Sequence, residues 1–267
     1  MQVVTQENYY DQNGVLLLAR GVMVSEALIK KLKQRNLLGL ASFKSSQYSQ
    51  AEQVHIITAE LGERIDVRDT QLLEYSSQIL SSIIFKSKEK PWWACVNSLS
   101  NYVGWLYSHS IDVAILSLMM AIEMKYTDKE LWDLGLGAFL HDVGKLLIPK
   151  SIIQKASLPN EMDMVFIQQH CELGMSSIIP YSLPKESTDI ILQHHERLDG
   201  SGYPWGLRGN TISRNAQIVM IADFVDEITS GRPHRPIYEI DTAMNVLKND
   251  KEKFCQEYVM VLNKLLK

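Results

Sequence analysis

The sequence predicts a mainly α-helical protein whose helices converge on a polar centre, with a small α/β region at the N-terminus. Two observations lead to this prediction. From residue 92 onward, apolar residues recur with the period of an α-helix in one segment after another. Before residue 45, an Asn-Gly turn signal lies next to a short apolar run, which is typical of a β-hairpin.

The first 45 residues are predicted to form a β-hairpin followed by a helix. Asn13-Gly14 tolerates the positive φ angles of a tight turn, and the apolar run 15–20 is predicted to be a strand. Ser25 is the predicted N-cap of a short helix over 26–35. Nothing in this unit indicates chemistry.

Residues 46–90 are polar and serine-rich at first and then carry an apolar stripe. The stripe predicts a helix over about 66–85. We therefore predict a small N-terminal region at 1–90, with a regulatory or dimerisation role, and a main domain at 91–267.

The main domain is predicted to consist of consecutive helices. The predicted segments are 92–123, 128–141, 160–179, 186–196, 215–229 and two further helices within 237–266. The glycines and the proline of 199–209 predict an ordered loop between the fourth and fifth of these segments.

Composition bounds the function. With 46% hydrophobic and 22% charged residues among 267, the chain can bury a sizeable core. The formal net charge of −4 argues against a protein that binds DNA or RNA duplexes, or a membrane surface, through its overall field. The 3 cysteines are widely spaced, which favours free thiols in a reducing cytoplasm.

No targeting or membrane segment is expected. The first residues lack the basic segment and apolar run of a signal peptide. No stretch is expected to approach the roughly 20 apolar residues that span a bilayer. The sequence thus predicts a soluble, cytoplasmic protein.

Histidines and aspartates from different predicted helices are the candidate functional residues. They are His109, His141, Asp142, His170, His194, His195 and Asp223. Each lies among apolar neighbours, where an unpaired polar group costs several kcal/mol, so each needs a partner or a metal. Because one helix presents one ligand toward a given point, several helices must converge. The pattern favours a two-metal hydrolase centre over a set of hydrogen-bonded core residues.

These residues and the loop that follows them resemble the HD-GYP family, a branch of the HD phosphohydrolase superfamily. The segments that carry the resemblance are His141-Asp142-Val143-Gly144-Lys145, His194-His195-Glu196, 199–204, the opening motif 109–113 and the closing motif 222–233. The resemblance covers about residues 95–240, and the Gly202-Tyr203-Pro204 loop makes it specific. Residues 1–45 also resemble a short module that often precedes such domains.

The resemblance implies an HD-type helical bundle around a binuclear metal site. It implies a phosphodiesterase that hydrolyses cyclic di-GMP to pGpG and often on to GMP. The candidate histidines and aspartates would then be ligands of two divalent ions, with Asp142 bridging them. Iron or manganese is expected in that family, while zinc, nickel or magnesium stay open.

Catalysis would use a hydroxide that bridges the two metals, so that no separate general base is needed. Lys145 is predicted to neutralise a phosphate oxygen, and Arg232 to clamp phosphate with its fork of donors. Gly202, Tyr203 and Pro204 are predicted to contact the substrate. A solvated lysine, a surface arginine and a packed aromatic ring are the alternative interpretations of Lys145, Arg232 and Tyr203.

The sequence departs from the family pattern at three positions. Trp105 stands where some members have a glutamate that supports a third metal, so we predict two metals. Cys171 follows His170 where the family usually has proline. His234 stands where tyrosine is common.

Two other functions stay open. One is a sensor that binds a cyclic dinucleotide, turns it over slowly and signals to a partner through residues 1–90. The other is an HD-type hydrolase that acts on another phosphoester, such as cyclic GMP-AMP. Either function is compatible with a homodimer.

Overall fold

The structure is a computed structural model. It describes residues 2–4, 9–10, 16–18, 23–25, 50–155, 157–230 and 236–266. The predicted turn at 13–14 and the predicted helix over 26–35 lie outside the described residues.

The N-terminal part contains two antiparallel strand pairs. Strand β1 (Gln2–Val4) pairs with β4 (Met23–Ser25), and β2 (Tyr9–Tyr10) pairs with β3 (Leu16–Leu18). The predicted strand over 15–20 is confirmed at β3. Ser25, predicted as an N-cap, is the last residue of β4.

The remainder of the described chain is helical. The α-helices are α1 (Gln50–Arg64), α2 (Thr70–Ser87), α3 (Trp93–Tyr102), α4 (Gly104–Glu123), α5 (Asp128–Leu140), α6 (Lys150–Ile153), α7 (Glu161–Gln168), α8 (His170–Ile178), α9 (Lys185–Gln193), α10 (Arg214–Thr229), α11 (Ile240–Asn249) and α12 (Gln256–Leu265). Short 3₁₀ helices lie at Val143–Leu147, Ile179–Tyr181 and Gly209–Thr211. The predicted mainly α fold is confirmed.

Three helices differ from the prediction. The predicted helix 92–123 is two helices, because Val103 takes an extended conformation with φ −142° and ψ 124°. The predicted helix 160–179 is interrupted at Gln169. Helix α1 was not predicted, since the polar residues around it hid the buried stripe of Val54, Ile57 and Leu61.

Helix α4 runs through the centre of the helical part and packs against α1, α2, α5 and α10. By length and hydropathy it is apolar enough to cross a membrane, which corrects the expectation that no stretch approaches this. The same segment is 83% buried inside the protein, as in a core helix. An α-helix that is apolar on all sides is typical of a buried position.

One hydrophobic core joins α1 and α2 to the helices that follow them. Val54 and Leu61 of α1 and Leu80 of α2 belong to the same buried cluster as Leu106 of α4. The link between α1 and α2 is also tied to the end of the chain, where the Arg68 amide donates to the Leu265 carbonyl at 2.9 Å.

Candidate metal centre

The candidate ligands come from five helices that meet around α4. They are His109 inside α4, His141 and Asp142 directly after α5, His170 at the start of α8, His194 and His195 directly after α9, and Asp223 inside α10. All are buried except His195, whose side chain is 11% exposed. The structure brings together every ligand that the sequence predicted.

Gly144 explains how His170 comes close to Asp142. A Cβ atom at Gly144 would lie only 1.9 Å from the His170 carbonyl oxygen and 2.5 Å from the Gly174 nitrogen. No larger residue fits between the backbones of the 3₁₀ helix Val143–Leu147 and helix α8. The glycine two residues after Asp142 therefore permits this contact.

The ligands form two groups, each compact enough to hold one metal ion. The first group is His109, His141 and Asp223, and the second group is Asp142, His170, His194 and His195. Within each group, one candidate ligand atom per residue lies within 4.8 Å of the others.

The two carboxylates each face both groups. Asp142 Oδ2 lies 3.4 Å from His109 Nε2 and 3.5 Å from His141 Nε2, whereas Oδ1 lies 3.3 Å from His170 Nε2. Asp223 Oδ1 lies 3.2 Å from His109 Nε2, and its Oδ2 lies 3.8 Å from His195 Nδ1. The sequence predicted that Asp142 bridges two metals, and it did not indicate that Asp223 also faces both groups.

The histidine rings are oriented by bonds on their far side. The Nδ1 atoms of His141, His170 and His194 bond to backbone carbonyls of the preceding helical turn, at 2.6, 2.6 and 3.0 Å. These bonds assign the ring proton to Nδ1 and leave the Nε2 lone pair facing the centre. Such far-side bonds are typical of histidines that bind metals.

The spacing of the Nε2 atoms fits a cation between them. His109 Nε2 and His141 Nε2 are 3.2 Å apart, and His170 Nε2 and His194 Nε2 are 3.1 Å apart. Two lone pairs at this distance repel each other unless a positive ion lies between them. Ligands at about 2.0–2.2 Å from one metal lie about 3.0–3.5 Å from one another.

Electrostatics places the ligands in the protonation state that metals require. Burial lowers the pKa of His141 to about 4, and those of His170 and His194 to about 3. Burial alone would raise the pKa of Asp142, but Lys145 and the neighbouring imidazoles hold it well below its usual value. Neutral imidazoles and an ionised carboxylate are thus present at neutral pH. Asp142 Oδ1 is buried and accepts no hydrogen bond from the described residues, which also fits a bound divalent ion.

The comparison with known families agrees with this geometry. The family described as "HD domain" matches residues 94–255, which is more than half of the chain. The chain belongs to the HD domain family. The predicted HD-type bundle is thereby confirmed, and divalent-metal binding follows from the family together with the two ligand groups.

Several curated relatives of this HD domain protein are phosphodiesterases. A cyclic di-GMP phosphodiesterase of Pseudomonas aeruginosa is 27% identical over 197 residues, which are 73% of this chain and 43% of the relative. The 3'3'-cGAMP-specific phosphodiesterase 1 of Vibrio cholerae is 34% identical over 149 residues, which are 54% of this chain and 33% of the relative. The chain therefore spans less than half the length of both relatives.

A solved structure has a similar fold. The HDG"Y"P protein from Bdellovibrio bacteriovorus has a TM-score of 0.54 and 17% identity, with 99% of this chain and 98% of that chain covered. At this identity the likeness concerns the fold alone.

In this HD domain, the loop after His195 folds around Glu196. The Glu196 carboxylate is fully buried and accepts the backbone amides of Trp205 at 2.8 Å and Leu207 at 2.9 Å. At Gly202 a Cβ atom would lie 2.4 Å from the Glu196 Cα, so only glycine fits. The sequence placed Glu196 in the motif but did not predict its role.

Tyr203 attaches the loop to the second group. Its ring stacks on His195 with centroids 4.7 Å apart, and its amide donates to the His195 carbonyl at 3.2 Å. Burial raises the pKa of the Tyr203 phenol, which keeps it neutral. The Tyr203–Pro204 peptide bond is cis. Tyr203 therefore lies directly beside the candidate ligand His195.

Lys145 is buried beside the centre, with 6% of its surface exposed, and its Nζ pairs with Asp142 Oδ2. It is not the solvated lysine of the alternative interpretation. Cys171 Sγ is buried 3.6 Å from His170 Nε2, and burial raises the pKa of this thiol, so it stays protonated. Arg232 and His234 lie outside the described residues.

Residues that the sequence did not single out support His109. Its Nδ1 lies 2.6 Å from Asp226 Oδ2, and Asp226 Oδ1 accepts from Arg64 Nη2 at 2.6 Å. Arg64 Nη2 also donates to Asp112 Oδ2 at 2.9 Å. The available signal was the position of Asp226, one helical turn after Asp223 within the closing motif.

Proposed function

We propose that this HD domain protein is a metal-dependent phosphodiesterase that hydrolyses cyclic di-GMP to pGpG, GMP or both. The observation that carries the proposal is the pair of ligand groups joined by Asp142, with a buried lysine at the same carboxylate. The relatives named above support the choice of a cyclic dinucleotide as substrate.

We propose that the first and second groups each hold one divalent ion, so that two ions bind per chain. The donor set combines imidazoles with carboxylates, which suits iron, manganese or zinc better than magnesium. When bound, the ions supply an activated hydroxide and stabilise the charge that develops on the phosphate. Trp105 lies beside His109 along one cavity, and its indole offers no ligand for a third ion.

The protein's own side chains bind and orient the substrate in this proposal. Lys145 carries a buried positive charge next to the centre, paired with Asp142. A phosphate oxygen of the substrate competes with Asp142 for the Lys145 ammonium group. Tyr203, stacked on His195, and the backbone at Gly202 and Pro204 form the wall along which the nucleotide lies. Arg232 is the proposed second phosphate contact, from the closing motif.

Hydrolysis of cyclic di-GMP by protein reconstituted with Fe(II) or Mn(II) without oxygen tests the proposal. The wild type is expected to release pGpG or GMP, and the combined His141→Ala and Asp142→Ala variant is expected to release neither. His55→Ala is the matched control, because His55 is exposed and lies outside both groups. An intact substrate after incubation with loaded wild-type enzyme rejects the proposal. Three firmly bound ions per chain reject the two-metal stoichiometry.

A second substrate, 3'3'-cGAMP, is favoured by the Vibrio cholerae relative that is specific for it. Turnover of cyclic di-GMP and 3'3'-cGAMP by the same loaded enzyme, under identical conditions, separates the two. Tight binding of either nucleotide without product over hours would instead identify a sensor.

We also propose that residues 1–90 form a regulatory or dimerisation region of a cytoplasmic protein, and that 91–267 carry the catalytic centre. Light scattering of the full chain measures whether it is a dimer. If the full chain is a dimer and substitutions within the N-terminal strands convert it to a monomer, the dimerisation role is supported. A monomeric full chain would reject dimerisation.

A further inference from the structure

Arg64 lies outside the segment that matches the HD domain family, yet its side chain bonds to Asp226, which contacts the candidate ligand His109. The matched segment begins at residue 94, whereas Arg64 is the last residue of α1. Buried residues of α1, among them Ile57 and Leu61, fix the helix in the shared core. The end of α1 is therefore held at α4 and α10, near His109.

The contacts form a continuous chain from α1 to the centre. Arg64 Nη2 donates to Asp226 Oδ1 at 2.6 Å, and Asp226 Oδ2 lies 2.6 Å from His109 Nδ1. The opposite nitrogen of His109, Nε2, lies 3.2 Å from Asp223 Oδ1 and faces the first group. Ser230 Oγ also donates to Asp226 Oδ2, at 3.2 Å.

Charge explains why the arginine matters at this position. Asp226 and Asp112 are both buried, at 0% and 3% exposed, and Arg64 bonds to both. Two carboxylates at close range in a low-dielectric interior repel each other unless a positive charge lies between them. The guanidinium serves both carboxylates through Nη2, which carries two N–H donors.

We propose that Arg64 is a positioning residue for His109 and that helix α1 thereby sets the metal affinity of the first group. By holding the Asp226 carboxylate in place, Arg64 fixes the ring whose other nitrogen faces the metal. The inference rests on the metal-dependent function proposed above and adds a determinant outside the matched family segment. A structural change that moves α1 acts on the same ligand.

Mn(II) affinity, measured by the electron paramagnetic resonance of the free ion, tests the inference without any turnover. Arg64→Ala is expected to weaken one of two Mn(II) sites by about 10- to 100-fold, the usual effect of removing a partner behind a ligand. Arg64→Met retains the packing of the aliphatic stem and is expected to show the same loss. Arg68→Ala is the matched control, since Arg68 follows α1 and is exposed. Wild-type affinity at both sites in folded Arg64→Ala or Arg64→Met overturns the inference.

Chemical rescue separates positioning by charge from a general loss of packing. The Arg64 side chain is 26% exposed, and a cavity of about 130 Å³ is lined by Arg64, His109, Asp112 and Asp226. Guanidinium at millimolar concentration is therefore expected to enter Arg64→Ala and to restore the weakened Mn(II) site. Urea has a similar shape without the charge and is expected to leave the site weak. Failure of guanidinium, or equal rescue by urea, overturns the inference.

The experiments distinguish failure of the positioning role of Arg64 from failure of the proposed function. If the wild type leaves cyclic di-GMP intact while Mn(II) affinity depends on Arg64, the substrate is wrong and the positioning role stands. If cyclic di-GMP is cleaved and Arg64→Ala binds Mn(II) like the wild type, the function stands and the positioning role is wrong.

Discussion

The two ligand groups are held by different means. In the second group, the Nδ1 atoms of His170 and His194 bond to the carbonyls of Ile167 and Ile190, three and four residues earlier in the chain. In the first group, His109 is held by Asp226, which is 117 residues away in sequence. His170 and His194 of the second group are thus set by local helix geometry, and so is His141 of the first group, whereas His109 depends on a long-range contact. Distant substitutions should therefore act mainly on the first group, through His109.

Asp142→Ala should have the largest effect, because this carboxylate faces both groups. We expect the loss of both bound ions and of all measurable hydrolysis. Metal analysis and a turnover assay check this, with His55→Ala as the unaffected control. One ion retained at full affinity would mean that Asp142 serves a single group.

Gly144→Ala should have the second-largest effect, and it should weaken metal binding by the second group. The added methyl would lie 1.9 Å from the His170 carbonyl, so the 3₁₀ helix and α8 must separate. We expect a loss of about 1–3 kcal/mol in the free energy of unfolding, as for other overpacked sites. We also expect one weakened metal site.

Gly104→Ala is the control for this substitution, because a Cβ atom at Gly104 meets no atom of the described neighbouring residues within 4 Å. Urea unfolding and Mn(II) titration compare the two variants. Equal effects of both substitutions would contradict the close contact at Gly144.

Asp226→Asn should affect the first group alone. The amide keeps the shape of the carboxylate but removes the charge that lies between Arg64 and His109. We expect about a 10- to 100-fold loss of affinity at one site. Calorimetric titration with Mn(II) should resolve one wild-type and one weakened site. A similar loss at both sites would break the distinction between the two groups.

Glu196→Gln should have the smallest effect, on the loop that covers the second group. The carboxylate accepts two backbone amides, and glutamine retains only one acceptor oxygen. We expect destabilisation by about 1–3 kcal/mol and a higher KM, with both ions retained. Urea unfolding, metal analysis and steady-state kinetics measure these. Loss of an ion would show that Glu196 also positions a ligand.

What could be predicted from the sequence follows the distinction between local and long-range contacts. His141, His170 and His194 lie at helix ends in short motifs, so the local pattern indicates both the helix and the ligand. Asp226 shares a helix face with Asp223, but its bond to His109 depends on how α4 and α10 pack. Arg64 offered no signal, since its helix lies in a polar, serine-rich stretch and its partner is 162 residues away.

Two other differences between the sequence prediction and the structure also have specific causes. The break between α3 and α4 comes from the extended backbone of Val103, a residue that carries no turn signal. That Asp223 also faces both groups depends on where His195 Nδ1 points, which spacing in the sequence does not determine.

The shared core limits where recombination can join a new N-terminal segment to this HD domain. Val54, Ile57 and Leu61 of α1 cover apolar surface that belongs to the same core as Leu106 of α4. A recombination that joined a foreign sensory segment at the start of the matched HD region would leave this surface open to water. The unit that can be transplanted intact therefore begins no later than α1.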